Sequence, residues 1–215
     1  MKYLIAIFLI SSVLCSKADS PLTSTNFSKA YKSEKMIVYT KENGLNKKLL
    51  KFLGKEQKES VIKIAIINEL GWGDKDLVKQ FEAYLLDKRK GLKPEVFDYL
   101  REFTEEIPVE NEQTNRLTAD DLMCWAYLQA LGDYFTPKLA SKAAYFSFVR
   151  EPNSMAHASV FALVACQVSF DTDWCYVYQI GQEFLVAKTY DKNKLSQEAL
   201  KIILDYLNLY AADCN

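Results

Sequence analysis

The sequence predicts an all-α protein, either a helical bundle or a stack of antiparallel helical hairpins, preceded by an irregular N-terminal arm. Three observations favour this fold class. Residues 152–170 form an apolar segment without any Asp, Glu, Lys or Arg. Residues suited to helix N-caps recur through the second half of the chain, and no convincing pair of strands accompanies them.

The uncharged segment 152–170 is the predicted central helix. At about 100° per residue, His157, Phe161 and Val164 fall on the side opposite Ser159 and Cys166. Both sides are apolar or small, so both sides must be covered by neighbouring elements. The segment is therefore expected to be surrounded by other helices.

Residues 1–18 have the pattern of a signal peptide. Lys2 supplies the positive start, residues 3–14 are apolar, and Ser16 and Ala18 suit a cleavage site. We expect an exported protein, periplasmic or secreted, without an integral membrane span after removal of the leader. Lipid anchoring through Cys15 is the less favoured alternative, because a lipobox needs a small residue where Leu14 stands.

The remainder divides into a predicted arm or linker, residues 19–45, and a single all-α domain, residues 46–215. The arm is rich in Ser, Thr and Lys, and residues 36–40 have strand-like composition without a partner strand. The domain has a charged first part, residues 46–112, and a part dense in core residues, residues 118–215. Whether residues 36–40 and 61–67 form strands stays open at this point.

Within the charged part, residues 46–57 and 59–70 carry leucines and isoleucines at helical spacing. Gly71 and Gly73 follow, and a further helix is predicted over residues 75–88. A strand, glycine turn and helix would suggest a nucleotide-binding fingerprint, but the third glycine is missing. We favour two helices joined by a glycine turn. Residues 95–112, after Pro94, are strongly acidic and predict a solvated helix face that leads into a polar linker.

In the second half, residues typical of helix starts precede three apolar faces. Thr118 is a predicted N-cap, Thr136 and Pro137 open the next helix, and Thr172 opens the helix after the central one. The last helix is expected over residues 195–212. Short connections between these helices predict antiparallel neighbours.

Four cysteines remain in the predicted mature chain, and an oxidising compartment favours their pairing. If residues 170–173 form a hairpin turn, Cys166 and Cys175 lie at equal distances from its centre. We therefore predict a Cys166–Cys175 disulfide, with Cys124–Cys214 as a possible second pair. Buried free thiols are the alternative.

No catalytic residue, metal ligand or cofactor site is predicted. His157 is the only histidine, which excludes a zinc site with two histidines. Cys166 lies nine residues further along the same helix, about 180° away, so the two do not form a Cys–His pair. His157 is expected to be a histidine near a helix start, satisfied by one hydrogen bond. Five aspartates near helix ends are the candidates for a carboxylate site, namely Asp120, Asp121, Asp133, Asp171 and Asp173.

The second half is rich in aromatic residues, and most are expected in the core. Tyr134 and Phe135 follow Gly132 in a predicted turn and are the candidate contact surface. A net charge of -1 gives no reason to expect nucleic acid binding. We predict an exported, non-catalytic helical protein that binds another protein, as an envelope adaptor or immunity-type inhibitor does. The alternative is a secreted helical hydrolase or glycan binder that uses carboxylates and aromatics at one end of the bundle. The partner's identity and the oligomeric state stay open.

Overall fold

A computed structural model describes residues 20–55 and 59–214. In this part of the chain the fold is all-α, as the sequence predicts, and the only β-type pairing there is an isolated bridge between Ser154 and Lys192. The α-helices are α1 (Pro21–Ser24), α2 (Lys35–Asn43), α3 (Lys47–Leu53), α4 (Ser60–Leu70), α5 (Asp76–Lys88), α6 (Glu95–Arg101), α7 (Ala119–Gly132), α8 (Lys138–Arg150), α9 (Met155–Ser169), α10 (Trp174–Gly181) and α11 (Gln197–Leu207). Short 3-10 segments cover Phe27–Tyr31, Thr114–Arg116 and Asn208–Cys214, and the π-helical turn Gln182–Val186 continues α10.

The core is built around α7 and α9. Every residue of α7 from Asp120 to Gly132 is buried, and α9 is buried on most of its circumference. Helices α4, α5, α8 and α9 pack against α7, while α1, α4, α8 and α10 pack against α9. The predicted central helix is confirmed as α9, although α7 shares the centre with it. A helix that is apolar all round is stable only when it is covered in this way.

Residues 20–45, predicted to be an irregular arm, are part of this body. Leu22, Phe27 and Ile37 are buried in the core. The buried side chain of Asn68 accepts a hydrogen bond from the Ser28 backbone N–H at 2.9 Å and donates to the Thr25 carbonyl at 3.1 Å. The prediction failed because a few apolar anchors among many polar residues produce no clear periodicity. The strand-like residues 36–40 lie in α2. The predicted signal peptide, residues 1–18, lies outside the described residues.

The region around Gly71 has the predicted arrangement of two helices joined by a glycine turn. Residues 61–67 are helical, which excludes the strand needed for a nucleotide-binding fingerprint. Gly71 and Gly73 adopt φ values of 84° and 88°. These angles are accessible to glycine at little strain. The Gly73 N–H donates to the Leu131 carbonyl at 2.9 Å, which places this turn at the end of α7.

The acidic helix is shorter than the charge pattern suggested. Helix α6 ends at Arg101, and the chain from residue 102 to 113 is irregular. If the helix continued, Glu102, Glu105 and Glu106 would lie near the negative end of the helix dipole, which is unfavourable.

Among the residues that the structure describes, no helix combines the length and apolar character that crossing a bilayer requires.

The cysteine pairing differs from the prediction. Cys175 forms a disulfide with Cys214, their Cα atoms 4.7 Å apart, while Cys124 and Cys166 are free and buried. Along the hairpin of α9 and α10, the Cys166 thiol faces the Val177 carbonyl, with Sγ and O 3.5 Å apart. Cys175 lies two residues earlier on α10, about 200° round that helix. It therefore points away from α9 and towards the C-terminal 3-10 segment.

Replacing Cys214 with Ser is expected to lower the free energy of unfolding by about 2–4 kcal/mol, because the disulfide restrains the unfolded chain. Urea unfolding with and without reductant measures this difference. Reductant should destabilise the wild type and leave the variant unchanged. A non-reducing digest that joins Cys166 to Cys175 would contradict the observed pairing.

Candidate functional site

The starts of three long helices converge on one polar cavity. Ser60 begins α4, Ala119 begins α7 and Met155 begins α9. The cavity has a volume of about 320 Å³. Its lining consists of Ser60, Thr118, Ala119, Asp120, Glu151, His157, Lys192 and Asn193.

A capping box fixes the first turn of α7. The Thr118 side-chain oxygen accepts from the Asp121 N–H at 3.1 Å, and the Asp121 carboxylate accepts from the Thr118 N–H at 2.9 Å. Arg89, which follows the last residue of α5, donates to both carboxylate oxygens of Asp121, at 2.7 and 2.9 Å. Asp120, the preceding residue, is thereby held towards α4 and α9.

Asp120 forms a buried ion pair with Lys63 of α4. The Lys63 Nζ lies 2.8 Å from one Asp120 oxygen, and the Lys63 side chain is 0% exposed. The Ser60 hydroxyl donates to the other Asp120 oxygen at 2.8 Å. Lys63 also donates to the Lys55 carbonyl. These additional hydrogen bonds offset the desolvation that a buried charge pair undergoes.

The environment of Asp120 keeps its carboxylate ionised. Burial by itself would raise the pKa of this carboxyl, but the facing His157 ring and the Lys63 ammonium outweigh burial and hold the pKa well below its ordinary value. The cavity is therefore lined by a carboxylate that is ionised at neutral pH and is paired with Lys63.

His157 connects this ion pair to the start of α9. Its Nδ1 lies 2.7 Å from the Ser154 Oγ, which also accepts a hydrogen bond from the Asn193 side-chain amide at 3.0 Å. Its Nε2 lies 3.3 Å from an Asp120 oxygen but has no aligned hydrogen-bond partner. The ring is 2% exposed. This agrees with the predicted histidine near a helix start that makes one hydrogen bond.

Ser154, His157 and Asp120 form a chain of polar contacts, but the geometry does not offer a nucleophile. The Ser154 side chain is fully buried, so its hydroxyl does not reach the cavity surface.

Two further residues that line the cavity, Lys192 and Asn193, come from a segment distant in the sequence. Lys192 is held beside α9 by two backbone hydrogen bonds, from Met155 N–H to the Lys192 carbonyl and from Lys192 N–H to the Asn153 carbonyl, each 3.1 Å. Asn193 follows with φ of 48°, a region that asparagine tolerates better than most residues. Sequence reasoning missed both residues because they lie in a loop without any local motif.

The predicted contact residues lie at the opposite end of α7. Phe135 is 80% exposed, and Tyr134 is half-buried beside it, with ring centroids 4.2 Å apart. Trp72, which the prediction did not include, packs edge-on against Tyr134 at 5.1 Å and is itself exposed. We name Trp72, Tyr134 and Phe135 the aromatic ridge. The position of Trp72 between Gly71 and Gly73 was the sequence signal that could have indicated an exposed aromatic residue in a turn.

The five aspartates considered for a carboxylate site do not lie together in the structure. Asp120 and Asp121 lie at the start of α7, whereas Asp133 follows its end, roughly 20 Å away at 1.5 Å per residue. Asp133 pairs with Lys75 at 2.8 Å. Asp173 caps α10 by accepting from the Tyr176 N–H at 2.9 Å. Capping and ion pairing therefore account for most of this set.

The free thiols are poorly suited to chemistry. Burial raises the pKa of both the Cys124 and Cys166 thiols far above the ordinary value, so neither forms a thiolate readily. Over residues 20–55 and 59–214, no group of three or more His, Cys, Asp or Glu side chains is placed to hold a metal ion.

No family model, no curated protein and no solved structure matches this chain.

Changing Asp120 to Asn is expected to lower the free energy of unfolding by about 3–5 kcal/mol, because Lys63 would remain buried without its counter-charge. The double variant Lys63→Met with Asp120→Asn should recover most of this loss. Urea unfolding of the wild type, both single variants and the double variant measures the coupling. If the loss of unfolding free energy in the double variant equalled the sum of the losses in the two single variants, the ion pair would make no contribution to stability.

The same pair predicts an acid dependence of stability. The pKa of Asp120 is lower in the folded chain than its ordinary value of 3.8. Its contribution is therefore complete above pH 3.8 and is lost as the pH falls towards the lower folded pKa. The stability difference between wild type and Asp120→Asn should shrink as the pH falls below about 4. Denaturant titrations at successive pH values test this, and a difference independent of pH would contradict it.

Proposed function

We propose that this chain is an exported helical protein that acts by binding another protein, as an envelope adaptor or an immunity-type inhibitor does. The observation that carries the proposal is the aromatic ridge. Phe135 exposes 80% of its surface to solvent although the fold has an extensive core. Burying such a side chain would contribute about 1.5–3 kcal/mol. A partner that covers the ridge would provide that burial.

The surroundings of the ridge suit a protein partner. A groove of about 300 Å³ runs beside Phe135 and is lined by Pro137, Val168 and Phe170 among others. Lys138 and Asp171, both exposed, stand at this groove and offer one charge of each sign. Aromatic anchors beside an apolar groove with a polar rim are typical of protein interfaces.

Export is supported by two independent features. The leader pattern of residues 1–18 is a sequence feature. The Cys175–Cys214 disulfide is a structural feature that suits an oxidising compartment. Both agree with a periplasmic or secreted location.

The alternative, a secreted hydrolase or glycan binder that uses clustered carboxylates, has less support. Asp120 and Asp133 lie at opposite ends of α7. Asp171 stands near the ridge, but the neighbouring Asp173 is engaged in capping α10. Aromatic recognition remains the stronger feature of that end of the molecule.

Changing Phe135 or Trp72 to Ala is expected to weaken partner binding about 30-fold, the effect of losing a side chain worth about 2 kcal/mol at the centre of an interface. The immobilised wild type and variants are incubated with a solubilised envelope fraction, and captured proteins are quantified by mass spectrometry. Trp174→Ala is the matched control, because Trp174 is similarly exposed but lies outside the ridge.

The expected result is a protein that is retained by the wild type and Trp174→Ala and lost with both ridge variants. Circular dichroism should show all four proteins equally folded. Equal capture by all four would contradict the proposed role of the ridge.

A further inference from the structure

Two exposed segments of the chain carry opposite charges. Residues 43–55 hold four lysines and no acidic residue, whereas residues 102–112 hold five glutamates and no basic residue. All four lysines are exposed, and so are all the glutamates except Glu110. Over residues 20–55 and 59–214, no ion pair joins one segment to the other. We name residues 43–55 the basic face and residues 102–112 the acidic loop.

Helix α3 directs the lysines of the basic face away from the core. Leu49 is fully buried, and Lys51 lies about 200° from it around the helix. Lys47, four residues before Lys51, lies on the same outer side. In the part of the chain that the structure describes, neither lysine has an ion-pair partner within 4 Å. The positive charge of this face is therefore directed towards solvent.

Both segments have apolar side chains close to their charges. Ile107 and Val109 of the acidic loop are 78% and 76% exposed. Helix α2 borders the basic face, since the Lys48 Nζ lies 3.8 Å from the centroid of the Tyr39 ring, and Val38 of α2 is 42% exposed. Burial of such side chains between two molecules is favourable, and the surrounding charges set their orientation.

The acidic loop is anchored at its C-terminal end. The Tyr99 hydroxyl donates to the Val109 carbonyl, and the Arg150 Nε donates to a Glu110 oxygen at 2.7 Å. Glu105 and Glu106, in the middle of the loop, are exposed and have no ion-pair partner among the described residues. Because the loop is held in place, a molecule that binds these two carboxylates pays less conformational entropy to order it.

The turn after α5 contacts both segments. The Arg89 side chain donates to the Gly54 carbonyl of the basic face at 3.0 Å. The Lys93 N–H donates to the side-chain oxygen of Gln113, one residue beyond the acidic loop, at 2.9 Å. Arg89 and Lys93 are four residues apart, so their backbones are separated by at most about 14 Å. The ends of the two segments therefore lie in one region of the surface.

We infer that two copies of this chain associate as a two-fold pair, in which the acidic loop of each copy binds the basic face of the other. A second copy supplies both complementary charges at once, and two-fold symmetry forms the contact twice. The symmetry also doubles the buried area, which specific interfaces need to reach roughly 1,200 Å². The contact uses no residue of the aromatic ridge, so it does not depend on the proposed function.

Sedimentation velocity over a series of protein concentrations tests this association. The expected result is a monomer–dimer equilibrium at low ionic strength. Raising sodium chloride from about 50 mM to about 500 mM should lower the association constant at least tenfold, because salt screens exposed charges. A chain that stays monomeric at every concentration would overturn the inference, and an assembly of more than two chains would overturn the two-fold arrangement.

Charge reversal identifies the contact. The loop variant combines Glu105→Lys with Glu106→Lys, and the face variant combines Lys47→Glu with Lys51→Glu. Each variant alone should associate at least tenfold more weakly, because like charges then oppose each other. A mixture of the two should restore a dimer of about wild-type affinity, because each reversed segment meets a reversed counterpart. Recovery in the mixture distinguishes a direct contact from a general effect of charge.

The matched control combines Glu183→Lys with Glu198→Lys. Both glutamates are exposed and lie outside the two segments, and the control changes the net charge as much as the loop variant does. It should associate as the wild type does, and circular dichroism should show all the variants equally folded. Unchanged association of the loop and face variants, or no recovery in their mixture, would overturn the inference. Capture by the aromatic ridge is measured separately and would be unaffected by either result.

Discussion

The buried ion pair between Lys63 and Asp120 is the interaction on which the arrangement of the helix starts depends. A charge in the protein interior is tolerated only while its counter-charge and hydrogen bonds stay in place. Lys63 belongs to α4 and Asp120 to α7, and His157 approaches the same carboxylate from α9. The pair therefore fixes the register of three helices at one end of the body. Asp120 and two of its neighbours, Ser60 and His157, also line the polar cavity.

Helices α7 and α9 connect this cavity to the aromatic ridge. Asp120 lies at the start of α7, and Tyr134 and Phe135 follow its end. His157 lies in the first turn of α9, while Phe170, which follows its last residue, reaches the groove beside the ridge. Both helices are buried along most of their length, so the two surfaces are held at a fixed separation. A change at the cavity could affect the aromatic ridge only if α7 and α9 had a second packing arrangement, which close-packed cores rarely permit.

Two long-range contacts close the body around this pair of helices. Asn68 of α4 binds the backbone of the N-terminal region, and the Cys175–Cys214 disulfide ties the C-terminal segment to α10. Neither contact has a local signature. Asn68 is one of several polar residues in α4, and nothing local marks it as the residue that binds the N-terminal region. The partner of Cys175 depends on the side of α10 to which its side chain points, and a shift of two residues along a helix reverses that side.

The sequence by itself determined the fold class, the approximate positions of the helices of the second half, the Thr118 cap of α7 and the glycine turn at Gly71. These features follow from periodicity, capping and turn chemistry, which act between residues close in the chain. Tertiary structure alone decided that residues 20–45 join the core, that Cys175 pairs with Cys214, and that Asp120, which pairs with Lys63, lines one cavity together with His157 and Lys192. Such juxtapositions depend on how helices cross, and no local pattern encodes the partner that a side chain meets from a distant part of the chain.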